Sequence, residues 1–178
     1  MKPFVSAISC WLFLFSVSLA SDAGQKPAGR ISSYGLMKVA SDPTQVKNPN
    51  APSGKEFQVR PAEVTFTEQT DTVSARINTV FGFQYTLSDL PPNARVKVRQ
   101  VVKHPLIKFP HGKASRGYVT NFELEVTAQG TADRGIGYLF EEEHELVPGK
   151  WTFEIWYEGK KLVGKTFTVV SPRRSSIP

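Results

Sequence analysis

The run Glu141-Glu142-Glu143-His144-Glu145 holds the residue types that most invite chemistry, because a His-Glu pair opens the metal-binding helix of zinc proteases. That motif needs a second histidine four residues after the first, on one helical face, so that both imidazoles reach one ion. Pro148 stands at that position, in a stretch that reads as strand and turn, so the match fails. Glu141, Glu143 and Glu145 are instead expected to face solvent from one strand edge, where charge discourages edge-to-edge pairing. The three histidines, His104, His111 and His144, would form a metal site only if the fold gathered them. Two of them flank a Pro-containing loop, where imidazoles are usually solvated, and no metal is expected. No Gly-x-Ser-x-Gly elbow frames a nucleophile, and no glycine-rich strand-to-helix loop cradles a phosphate. No catalytic residue is assigned and no cofactor is expected.

Charge is the more informative signal. From residue 93 to 118 there are seven basic residues, Arg95, Lys97, Arg99, Lys103, Lys108, Lys113 and Arg116, and no acid. From 119 to 158 the balance reverses, with nine acids against Arg134 and Lys150. Cross-strand pairing on outer sheet faces explains the strand members of both groups, each pair contributing about 0.2–1 kcal/mol. It explains less well Lys108, Phe109, His111, Lys113, Arg116 and Tyr118, which fall in a segment, 104–117 with Tyr118 at its border, that is expected to be an irregular loop stiffened by Pro105 and Pro110. Basic and aromatic groups on a stiff loop suit an anion or a glycan, and these six are the candidate binding residues.

The elements that must position them are strands. Apolar residues recur with period two, and no window of a dozen residues holds a period of 3.6. Residues 94–103 alternate Val96, Val98, Gln100 and Val102 with Arg95, Lys97, Arg99 and Lys103, one face for the core and one for solvent. Other strands are expected at 30–39, 57–60, 62–67, 78–87, 118–128, from 136 to just before Pro148, 151–157 and 162–170, with turns at Pro91-Pro92-Asn93, Gln129-Gly130, Pro148-Gly149 and around Gly159. Residues 40–55, with three prolines, form an unusually long loop. The expectation is an all-β, antiparallel, immunoglobulin-like sandwich of about eight strands with little or no helix.

The first residues read as a secretory leader. Lys2 supplies positive charge, 5–19 is apolar apart from serines, and Ser18-Leu19-Ala20 offers small residues where a signal peptidase cuts. About 15 apolar residues are short for crossing a bilayer, so cleavage after Ala20 is expected and no transmembrane segment follows. Removal of 1–20 takes away the single cysteine, Cys10, and with it disulfides, thiolate nucleophiles and cysteine-ligated metals. It also leaves 21 basic against 16 acidic residues, a moderate excess that favours anionic partners without choosing among them. Residues 21–29 and 171–178 are expected to be flexible ends around one domain at 30–170. Twelve Phe, five Tyr and three Trp give such a domain enough apolar surface to fold without disulfides.

The stretch Val147-Pro-Gly-Lys-Trp-Thr-Phe-Glu-Ile-Trp-Tyr-Glu-Gly-Lys-Lys-Leu162, followed by Phe167-Thr168-Val169, resembles the closing hairpin of an uncharacterised secreted bacterial family with an immunoglobulin-like domain of unknown function. Ile31-Ser32-Ser33-Tyr34-Gly35 and His104-Pro105 with Pro110 resemble it elsewhere. The resemblance implies fold and compartment, periplasmic or secreted, and transfers no site residues. The expected function is a non-catalytic exported domain that binds or scaffolds in the bacterial envelope, with an envelope protein or anionic glycan as partner. The sequence does not fix an oligomeric state. Nucleic acid is not expected, since the compartment opposes it and RNA-binding aromatic motifs are missing. The alternative is an envelope hydrolase with a loop-assembled site, and a third reading is a sandwich that pairs a strand edge with a partner.

Overall fold

The computed structural model describes residues 26–39, 44–58, 61–110 and 112–172. The expected leader through Ala20, most of the lead-in, His111 and the last six residues of the tail lie outside the described residues.

Two sheets carry the fold. The strands are β1 (Ala28–Val39), β2 (Thr44–Lys47), β3 (Lys55–Gln58), β4 (Val64–Glu68), β5 (Thr72–Ser74), β6 (Val80–Ser88), β7 (Arg95–Lys108), β8 (Ala114–Glu125), β9 (Ala132–Leu139), β10 (Gly149–Tyr157) and β11 (Lys160–Val170), with 3₁₀ turns at Pro61–Glu63 and Glu143–Glu145. One sheet runs β4-β1-β6-β9 and the other β5-β11-β10-β7-β8, while β2 and β3 pair as a separate hairpin. Every described pairing is antiparallel except that of β5 with β11. The sheets face each other, and alternation dictates what lies between them. Phe81, Phe83, Tyr85 and Leu87 point inward from β6, and Trp151, Phe153 and Ile155 from β10. Phe81 is the centre of this layer. Its ring meets Trp151, Phe153 and Phe167 of the opposite sheet edge-on at centroid distances of 6.0, 5.7 and 5.3 Å. This is the all-β sandwich expected from the alternation.

The closing hairpin is set by its turn. Tyr157 pairs with Lys160, leaving Glu158 and Gly159 as a two-residue loop with φ of 46° and 76°. Positive φ at both positions is the primed turn whose twist matches that of the strands.

Three expectations need correction. Residues 104–117 are mostly strand, since β7 continues to Lys108 and β8 starts at Ala114. Pro105 is tolerated because the β7–β8 register shifts between Lys103 and Ile107, and β10 pairs with β7 only as far as Lys103. A proline at such a bulge removes no ladder bond. Residues 40–55 are not simply loop, because they include β2 and the start of β3. The strand expected from 136 to just before Pro148 ends at Leu139, so Glu145 does not face solvent from a strand: it lies in a 3₁₀ turn and is fully buried.

A cleft beside Phe109 and Lys113

The β7–β8 connection is short and hydrogen-bonded. Phe109 N–H donates to Lys113 O at 2.7 Å, and Gly112 N–H donates to Phe109 O at 3.0 Å. Beyond it, Ser115 Oγ donates to Gly117 O at 2.7 Å and accepts from Gly117 N–H at 3.1 Å, shaping the start of β8 around a backbone with φ of 152° at Gly117. Only glycine fits there, since a Cβ would lie 2.2 Å from Val102 O.

The opposite wall is the connection between β2 and β3. Asn48 N–H donates to Gly54 O, Ala51 N–H to Asn48 O and Gly54 N–H to Ala51 O, all near 3 Å, so this segment is a compact turn. It is fastened at two points. Asn48 Nδ2 donates to Thr120 Oγ1 on β8 at 3.0 Å, and the His144 ring lies with Nε2 3.3 Å from the Pro52 carbonyl. The His144 ring also meets Phe109 edge-on at 6.2 Å. Between these walls is a cleft of about 330 Å³ lined by Pro49, Asn50, Phe109, Lys113, Ala114, Ser115, Gly117, Tyr118 and Val119.

Of the six candidate residues, Phe109, Lys113 and Tyr118 therefore meet in one cleft. Lys108 and Arg116 are exposed on the strands that lead into it, and His111 lies outside the described residues. Tyr118 is not a surface platform, for it is only 5% exposed and its ring sits in the core. Lys108, Lys113 and Arg116 make no ion pair among the described residues. Pro49 and Asn50, which sequence reasoning missed, stand about 60 residues upstream of Phe109 and Lys113. The only signal of them was the length and proline content of 40–55.

Two of the other strand charges, Arg95 and Lys103, behave differently. Arg95 lies opposite Glu125 and bridges it at 2.8 Å, and Lys103 reaches both oxygens of Glu154 at 3.1 Å. The basic and acidic segments thus pair across β7–β8 and β7–β10. Burial pushes the Glu154 carboxyl up, but hydrogen bonds from Lys103 and Trp156 and the charges of Lys103 and Lys161 outweigh it and hold the group below its ordinary value.

Two of the three histidines, His104 and His144, fall among the described residues. His104 is buried, with Nδ1 2.8 Å from Pro105 O and its ring centroid 5.0 Å from Trp151 and 6.4 Å from Tyr118. Among the described residues no three His, Cys, Asp or Glu side chains are grouped to hold an ion. No described helix is long and apolar enough to cross a membrane.

Two facing sheets of this order, closed by an aromatic hairpin and edged by a polar cleft, define an immunoglobulin-like β-sandwich. A crystal structure of an immunoglobulin-like protein from Pseudomonas aeruginosa shares the fold at a TM-score of 0.58 and 22% identity, covering 83% of this chain and 99% of that one. The chain belongs to the DUF3859 family, a domain of unknown function, whose profile matches residues 25–169. Partial likenesses, both at a TM-score of 0.39, link 56% of the chain to 27% of a DNA glycosylase from Pseudomonas fluorescens bound to abasic-site DNA and 58% of it to 15% of a β-glucosidase from Listeria innocua in complex with glucose, at 13% and 6% identity. No curated protein matches the sequence.

Proposed function

We propose that this chain is an exported, non-catalytic binding module of the bacterial envelope, and that the cleft beside Phe109 and Lys113 takes an anionic glycan or similar polyanion. The observation that carries this reading is Lys113 in the lining of a cleft whose two walls are hydrogen-bonded together, with Lys108 and Arg116 exposed on the adjoining strands and all three without ion pairs among the described residues. Such a cleft is formed before ligand arrives, so little ordering entropy opposes binding. The described lining has amide, hydroxyl, aromatic and ammonium groups but no carboxylate or imidazole, which suits retention of an anion better than acid–base hydrolysis. The leader-like start of the chain supports export, and the matched family adds no activity.

Salt elution from a sulfated-polysaccharide resin tests the cleft. The variant Lys108→Gln, Lys113→Gln, Arg116→Gln is expected to elute at clearly lower salt than one losing the same charge elsewhere, at Lys38, Arg76 and Lys150. Equal elution of the two variants would overturn the reading. Export is checked by the N-terminus of the processed protein, expected at Ser21; retention of the leader in the envelope fraction would contradict it.

A further inference from the structure

The parity of β10 sends one tryptophan to each side of the sheet. Trp151, Phe153, Ile155 and Tyr157 are in the core, so Trp156 falls on the outer face of the five-stranded sheet. Register then selects its neighbours. Trp156 lies opposite Arg99 of β7 and Lys161 of β11, and Arg99 lies opposite Asn121 of β8, giving a transverse row Asn121, Arg99, Trp156, Lys161. A groove of about 270 Å³ runs over part of this row and is bounded by Lys97, Arg99, Asn121, Trp156 and Glu158.

The indole is held in place. Its Nε1–H donates to Glu154 Oε2 at 3.0 Å, and the same carboxylate is gripped by Lys103 at 3.1 Å and approached by Lys161 at 3.5 Å. Glu154 is 5% exposed, so the carboxylate that accepts from the indole is itself held within the sheet face, while the two lysines reach it from half-exposed positions. This carboxylate uses the charges of Lys103 and Lys161. Lys97 and Arg99, on the other side of the indole, make no ion pair among the described residues, although Lys97 lies in register with Glu123.

We propose that this groove is a second binding site, in which Trp156 stacks on the ring of an acidic sugar and Arg99, with Lys97, takes the sugar's carboxylate. A half-buried indole presents an electron-rich face to the weakly positive C–H groups of a pyranose ring. Arg99 offers the planar fork that matches a carboxylate, while Asn121 and Glu158 can exchange hydrogen bonds with ring hydroxyls. Glu158 is also the group that would repel an anion. Its place at the hairpin turn puts it at the end of the groove, and the two cations outnumber it. The volume is below that of drug-sized pockets and suits roughly one sugar ring. Arg99 precedes Lys108 by nine residues of β7, a separation of about 30 Å, so this site stands or falls apart from the cleft.

The test is titration of the purified protein with a galacturonate tetrasaccharide, read from the Trp156 indole N–H resonance, which is assigned by its loss in Trp156→Phe. A saturable shift is expected, with affinity about tenfold above that for a neutral tetrasaccharide. Arg99→Gln should weaken the acidic ligand by about tenfold and leave the neutral one unchanged, and Lys97→Gln should act in the same direction. The variant losing charge at Lys38, Arg76 and Lys150 should shift the Trp156 resonance as the parent does, and because that resonance reports the groove while resin elution reports the cleft, failure of one site is distinguishable from failure of the other. An unmoved Trp156 resonance, equal affinity for the neutral sugar, or full affinity in both the Arg99 and Lys97 variants would overturn the proposal.

Discussion

The Tyr138 hydroxyl donates a 2.8 Å hydrogen bond to Glu145 Oε1, and this carboxylate is wholly buried. Its other oxygen accepts from the backbone N–H groups of Glu141 and Glu142 at 2.7 and 3.0 Å. A charge withdrawn from water this completely persists only when its lone pairs are satisfied. Burial first, and then the neighbouring Glu145 charge, push the Tyr138 hydroxyl well above the usual tyrosine range, so it remains a donor. Glu145→Ala would leave three donors unpaired, at about 1–3 kcal/mol each, and is expected to cost roughly 3 kcal/mol or more in urea unfolding. Tyr138→Phe should cost about 1 kcal/mol, and the double variant should show coupling, not additivity.

Phe81 is the second place where stability concentrates. It is fully buried and faces five other rings, those of Tyr138, Phe140, Trp151, Phe153 and Phe167. Phe81→Ala opens a cavity that the rigid sheets cannot close, with an expected loss of about 3–5 kcal/mol. Trp156→Ala removes a larger side chain from the sheet's outer face and should cost less. Equal losses in chemical denaturation would refute this account of the core.

His104 gives the fold a pH dependence. Burial lowers its pKa from 6.5, partly offset by the hydrogen bond to Pro105 O, and the buried Nε2 has no hydrogen-bond partner among the described residues. The unfolded chain therefore binds more protons than the native state below pH 6.5. Stability from the neutral imidazole is fully present above that pH and is lost as pH falls through the folded-state pKa. The melting temperature is expected to drop on acidification from about 7 to 5, and His104→Leu should flatten that part of the profile.

Gly149 and Pro105 explain each other. A Cβ on Gly149 would lie 2.7 Å from Pro105 Cγ, and φ at Gly149 is 136°. Gly149→Ala is expected to cost about 1–3 kcal/mol through strain and overpacking. Pairing it with Pro105→Ala should restore the part due to the clash but not the part due to φ. Full restoration in a thermal melt would show that the backbone conformation carries no strain.

Legibility followed local period. Strands β7, β8, β10 and β11 were readable because each alternates for several residues, and Trp151, Phe153, Ile155 and Tyr157 share the buried face that this parity requires. The same rule failed at Pro105, because a proline inside a strand is acceptable only at a bulge, and a bulge is a property of two strands. It failed for β5 as well. Thr72–Ser74 is too short to show a period, and it is a strand only because β11 runs parallel beside it. In the cleft, Phe109, Lys113 and Tyr118 were visible as a basic and aromatic cluster, whereas Pro49 and Asn50 were not, since nothing local places them against β8.

The sequence by itself determined the class of this protein: period-two alternation without helical period forces strands, and aromatic inward faces force two sheets to cover one another. It also determined the segregation of charge along the chain. Only the tertiary structure decided which charges meet. Register put Arg95 beside Glu125 and Lys103 beside Glu154 and left Lys97 and Arg99 next to Trp156, while a 3₁₀ turn carried Glu145 from an acidic run into the core. Pairing between strands is a long-range choice set by the packing of whole faces, and it cannot be read from either strand alone.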